Sequence, residues 1–101
     1  MHIVNAISKV RFSSVKPQCV QLDQSDSMST KLVCMDPDQQ LEIANGQWTY
    51  YIVTGTGTLI EAGSESEVAT GHTVVLEPGD AVTLCNRTKN RLVCLAVGSE
   101  S

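Results

Sequence analysis

The chain is a succession of short runs of β-branched and other apolar residues, each stopped by glycine, proline or asparagine, and no stretch carries a helical period of any length. The second half is punctuated most regularly. Trp48-Thr49-Tyr50-Tyr51-Ile52-Val53 joins aromatic and β-branched residues and stops at Gly55-Thr56-Gly57, where glycine permits the positive φ of a tight turn. Leu59-Ile60-Glu61 runs into Ala62-Gly63-Ser64, and the stretch from Glu65 to Ala69 runs into Thr70-Gly71. Thr73-Val74-Val75-Leu76 ends at Glu77-Pro78-Gly79-Asp80, and the segments Ala81 to Cys85 and Leu92 to Val97 flank a polar turn around Thr88 to Asn90. The first half is less even. Val10-Arg11-Phe12 and Cys19-Val20-Gln21-Leu22 alternate weakly, as early or edge strands do, and Gln24 to Ser29 is a polar loop. Leu32-Val33-Cys34-Met35 is broken by Asp36-Pro37-Asp38, and Gln40 to Ala44 alternates cleanly until Asn45-Gly46. Short strands at such spacing predict an all-β sandwich or barrel.

At 101 residues the chain is one domain, and with 42% apolar residues it can bury a core. We divide it into N-terminal edge strands and loop (1–30), a barrel core (31–97) and a frayed tail (98–101). Most strands alternate in polarity, whereas Leu92-Val93-Cys94-Leu95-Ala96-Val97 is apolar on both faces. That strand is expected at the centre of a sheet, its outer face covered by the N-terminal segment or by a second subunit. A homodimer is therefore the expected partner state.

Charge narrows the functions. Eleven acidic residues against 7 basic ones give a net charge of −4, which suits neither nucleic acid nor an anionic membrane surface. No apolar run reaches the roughly 18 to 20 residues of a membrane helix, and Met1 to Asn5 has no leader-like character, so a cytoplasmic protein is expected. Cys19, Cys34, Cys85 and Cys94 form no C-x-x-C pair and no zinc-type spacing, and all four are read as reduced thiols buried in strands as small hydrophobes.

The segment Gly71-His72-Thr73-Val74-Val75-Leu76-Glu77-Pro78-Gly79-Asp80-Ala81-Val82-Thr83-Leu84-Cys85-Asn86 resembles the second motif of the small single-domain cupins, G-x(5)-P-x-G-x(2)-H-x(3)-N. Gly71, Gly79 and Asn86 fall on its glycines and asparagine, proline stands one place late at Pro78, and Val82 takes the place of the metal-binding histidine. Tyr50 to Leu59 is similar to the end of the first motif. There the ligand glutamate, seven residues before Gly55, is replaced by Trp48, and Leu41 to Gly46 holds no histidine for the H-x-H pair. The resemblance covers about Lys31 to Val97 and implies a cupin-type double-stranded β-helix (jelly-roll) barrel. It implies no metal site, because valine and tryptophan cannot ligate, and we expect no cofactor.

The resemblance also implies where a ligand would sit. Trp48 would project into the barrel, with Tyr50 and Ile52 on its face by strand alternation and Val82 facing from an opposing strand. Trp48, Tyr50 and Val82 are the candidate lining of a small apolar or aromatic ligand site, with Trp48 as a plug of the same space the competing expectation. Catalytic residues are not assigned. Cys34 and Cys94 have apolar neighbours and no base, Glu42 is read as solvent-facing, and His72 with Asp80 is the one conceivable acid–base pair, both beside turn glycines. The function expected is a non-catalytic module binding a small molecule or a partner. The alternative is a cupin-fold enzyme, either a metal-independent isomerase or epimerase or a metal-dependent dioxygenase with atypical ligands.

Overall fold

The computed structural model describes residues 1–100. Nine strands form two sheets: β1 (Gln18–Gln24), β2 (Ser29–Met35), β3 (Gln40–Ile43), β4 (Gly46–Thr54), β5 (Thr56–Glu61), β6 (Ser64–Ala69), β7 (Thr73–Leu76), β8 (Val82–Cys85) and β9 (Leu92–Glu100). The five-stranded sheet runs β1-β2-β9-β4-β7 and the four-stranded sheet β3-β8-β5-β6, with every pairing antiparallel. Connections of one to six residues pass repeatedly between the sheets, so the two faces close over one core as a jelly roll. The core is the inward half of each alternating strand: Val33 and Met35 from β2, Trp48, Tyr50 and Ile52 from β4, and Leu84, Leu92, Cys94 and Ala96 from β8 and β9.

The turns obey local chemistry. Gly55 sits at φ +105, and a side chain there would meet the Arg91 carbonyl at 2.6 Å, so glycine is required on two counts. At the β7–β8 turn Gly79 takes φ +96, while the Asp80 carboxylate accepts from the Glu77 N–H at 2.9 Å. Asn86, fully buried, ties three segments together. Its amide donates to the carbonyls of Met35 at 3.3 Å and Asn90 at 2.8 Å, and its Oδ1 accepts from the Thr88 N–H and hydroxyl.

The doubly apolar strand is central, as its composition demands: β9 lies between β2 and β4. On its outer face a second cluster of Leu32, Cys34 and Val93 is covered by Ala6 and Phe12 of the N-terminal segment. Two expectations fail there. Val10 to Phe12 is not a strand, because the segment lies across the face of the sheet rather than beside an edge. Phe12 packs under the Arg91 guanidinium, 4.2 Å from its ring, and Ser13 accepts from Gln39. A single turn of 3-10 helix, Ile7–Lys9, precedes it. Nor does the chain fray at Gly98: Gly98, Ser99 and Glu100 continue β9 opposite Trp48, Gln47 and Gly46. The small residues Gly98 and Gly46 fit there because a side chain on either would collide with backbone or with Trp48. Of the expected tail, Ser101 lies outside the described residues.

Candidate functional site

Strand alternation turns Trp48, Tyr50 and Ile52 inward from β4, with Trp48 paired to Leu76 on one side and Gly98 on the other. Val82 on β8 pairs with Ile43 and Leu84 with Leu41, so the inward positions of the first-motif segment are aliphatic. Trp48, Tyr50 and Val82 are all buried in the one core cluster, with Trp48 4% exposed. The side chains standing where a metal would be held are therefore an indole, two aliphatics and a buried phenol, a set that does not fit a metal ion. Among the described residues no group of three or more His, Cys, Asp and Glu side chains could hold one.

The space between the sheets is closed. Tyr50, Ile52, Leu84 and their neighbours leave a void of about 10 Å³, room for no more than a single water. Between the sheets no open apolar pocket is formed, because Tyr50 and aliphatic side chains of both sheets, among them Ile43, Ile52, Leu59 and Leu84, fill the space. An aromatic or aliphatic ligand would have to displace core side chains to enter. Burial pushes the Tyr50 hydroxyl well above the ordinary phenol range, so it stays protonated. Burial likewise pushes the Cys94 thiol up to about 12 and raises that of Cys34, which leaves neither as a nucleophile at neutral pH.

His72 and Asp80 do not meet as an acid–base pair. His72 Nδ1 accepts from the Ala69 N–H at 2.8 Å, and Asp80 accepts from the Glu77 N–H, so each closes its own turn. The ion pairs among the described residues join Arg87 to Glu65, Arg91 to Asp36 and His2 to Asp23. Of these, Arg87–Glu65 is a two-contact surface clamp that holds the Glu65 carboxyl below its usual range.

Trp48 has a second side. A cleft of about 260 Å³ opens where the β1–β2 hairpin and the end of β9 overhang it, bounded by Gln21, Ser29, Lys31, Trp48, Ser99 and Glu100 together with the loop 24–28. Lys31 shares the inward face of β2 with Val33 and Met35, and its ammonium lies 4.5 Å from the centre of the Trp48 ring. Gln21 Nε2 donates to Ser29 Oγ at 2.6 Å and braces the hairpin. Charge and motif spacing in the sequence do not single out Lys31. The signal available was its parity: it extends the buried row Lys31, Val33, Met35 by one position.

No family model matches the sequence, and no curated protein matches it either. Solved structures do. A double-stranded β-helix protein from Klebsiella pneumoniae superposes with a TM-score of 0.89 at 16% identity, over 99% of this chain and 90% of that one. The fold is the cupin barrel. A cupin 2 conserved barrel domain protein from Salinispora arenicola gives 0.81 at 18% identity, over 100% of this chain and 90% of that chain. An RmlC-like cupin from Desulfovibrio desulfuricans gives 0.83 at 15%, over 98% and 96%. Such identities speak for the cupin fold alone, and a fold hosts many functions. Within this barrel the polar cleft beside Trp48 lies outside the closed core. Among the described residues no helix is long and apolar enough to cross a membrane.

Proposed function

We propose that this chain is a non-catalytic cupin-fold module that binds a small molecule and pairs with a second copy of itself. The observation that carries the reading is Trp48, which the resemblance sets at the position of the cupin glutamate and which is buried in the core cluster among aliphatic side chains. Side chains of this kind offer a metal no ligands, the buried Tyr50, Cys34 and Cys94 stay protonated, and His72 and Asp80 each close a turn. Of the three residues expected to line a ligand site, Trp48 faces a cleft large enough for one, while Tyr50 and Val82 serve as core. All four cysteines are free thiols, which supports a reducing, cytoplasmic setting.

Support for the pairing comes from the outer face of the five-stranded sheet. The N-terminal segment covers only its β1–β2–β9 portion. Beyond it Tyr51, Val53 and Val75 remain 43%, 42% and 61% exposed, next to an apolar hollow lined by Ile7, Val10, Phe12 and Val93. A contiguous apolar face of this kind marks an interface. A two-fold pair brings the face onto itself.

The test has two arms. Sedimentation at micromolar concentration should give twice the chain mass, and Tyr51→Lys with Val53→Asp should give one chain mass while keeping the fold. A wild-type monomer that is unchanged on dilution sinks the pairing. Elemental analysis of untagged protein should find no stoichiometric iron, manganese, nickel or zinc. A full equivalent of any of them inside the barrel, or turnover dependent on it, sinks the non-catalytic reading.

A further inference from the structure

We infer that the cleft beside Trp48 is a binding site for a small hydroxylated monocarboxylate, with Lys31 as its anion contact. This rests on the small-molecule reading and names the ligand class for it. Lys31 is half-buried and makes no ion pair among the described residues, although Asp26 and Glu100 bound the same cleft. Its ammonium is instead held over the indole at 4.5 Å. A cation placed against an aromatic ring, with no carboxylate within salt-bridge distance, keeps its donors for an incoming anion.

The rest of the lining defines what that anion must carry. Ser29 accepts from Gln21 through its Oγ, which leaves its hydroxyl hydrogen for a ligand. Ser27 and Ser99 add hydroxyls, and the Asp26 and Glu100 carboxylates accept but cannot donate. Two carboxylates around a single ammonium disfavour a dianion such as phosphate, but they suit ligand hydroxyls, whose hydrogens they accept. A neutral apolar molecule would leave these groups desolvated and unpaired. The volume of about 260 Å³ limits the occupant to roughly the size of one sugar unit, at the lower edge of small-molecule sites. A single carboxylate at one end and several hydroxyls along its length satisfy the whole set.

The probe is D-gluconate, titrated against the full chain by calorimetry and by the emission of its single tryptophan. We expect saturable binding that perturbs the Trp48 signal and weakens as salt is raised. Lys31→Met, which keeps the stem against the indole, should weaken it about tenfold or more, while Lys31→Arg retains it. D-Glucose, of the same size without the charge, should bind at least about tenfold more weakly, and inorganic phosphate should not compete. Melting curves establish that both variants are folded. Gluconate binding that is indifferent to Lys31→Met, or equal affinity for glucose, overturns the assignment. Failure of gluconate alongside saturable binding of glucose or indole overturns the ligand class alone and leaves the small-molecule reading standing. Failure of all three overturns both.

Discussion

Trp48→Ala separates a plugged barrel from a rigid scaffold that merely carries a tryptophan. A tryptophan side chain buries about 150 to 250 Å² on folding, and Trp48 is only 4% exposed. At roughly 25 cal/mol per Å² the transfer term is about 4 to 6 kcal/mol, an upper bound since the unfolded chain is itself partly collapsed. Alanine keeps its own methyl buried, and large aromatic truncations cost about 3 to 5 kcal/mol. For a domain of this size each kcal/mol lowers Tm by about 4 to 8 °C, so the variant should melt at least about 12 °C below the parent. Gly98, Leu76 and Ala96 surround the space and are held in register by paired strands, so the sheets cannot close the gap. The cavity should therefore stay open, joined to the polar cleft that Trp48 now walls off, and accept indole. Indole should then raise the Tm of Trp48→Ala and leave that of the parent unchanged. Differential scanning calorimetry with and without indole measures both quantities. A loss under about 1 kcal/mol, or parent emission resembling free indole in water, refutes the reasoning.

Asn86→Ala should cost about 1 to 3 kcal/mol by urea unfolding, because it removes the donor to the buried Met35 carbonyl together with the bonds to Asn90 and Thr88. A change within about 0.5 kcal/mol would show that the asparagine is dispensable. Gly98→Ala should destabilise strongly, since its Cβ would collide with the Gln47 carbonyl and come within 2.9 Å of the Trp48 ring. A frayed tail, by contrast, would tolerate it. Stability should fall at alkaline pH. The folded Cys94 pKa is raised from 9.0 to about 12, so its contribution is complete below 9 and is lost as pH rises toward 12. The slope is about 1.4 kcal/mol per pH unit for that thiol, since the unfolded chain sheds the proton first. Cys94→Ala should flatten the slope in pH-dependent urea titrations, and an unchanged slope would exclude this origin.

The fold was legible where local chemistry and burial agree. Glycine at positive φ and alternating apolar positions mark β4 through β8 because each turn is closed by its own residues and each strand buries one face. The N-terminal segment was illegible for the converse reason. Val10 to Phe12 alternates like a strand, yet what holds it is Phe12 under Arg91 and over the Leu32–Cys34–Val93 patch, contacts whose partners lie far along the chain. Gly98 to Glu100 reads as a tail because glycine and serine have weak β propensity. It is a strand because Gly46 to Trp48 offers it a ladder, and no local signal encodes that pairing.

The site divided along the same line. That Trp48, Tyr50 and Val82 point inward follows from period-two alternation and from motif spacing, both local properties of the chain. Whether the interior is open depends on summed volumes from two sheets, and those volumes leave room for no more than a water. The cleft went unseen because Lys31 and Trp48 are 17 positions apart and meet only because both strands flank the small residues of β9, Ala96 and Gly98. Small residues on a central strand let the side chains of its two neighbours approach each other across it. Their meeting makes a tryptophan that is buried in the core also the wall of the cleft, so one side chain belongs to both.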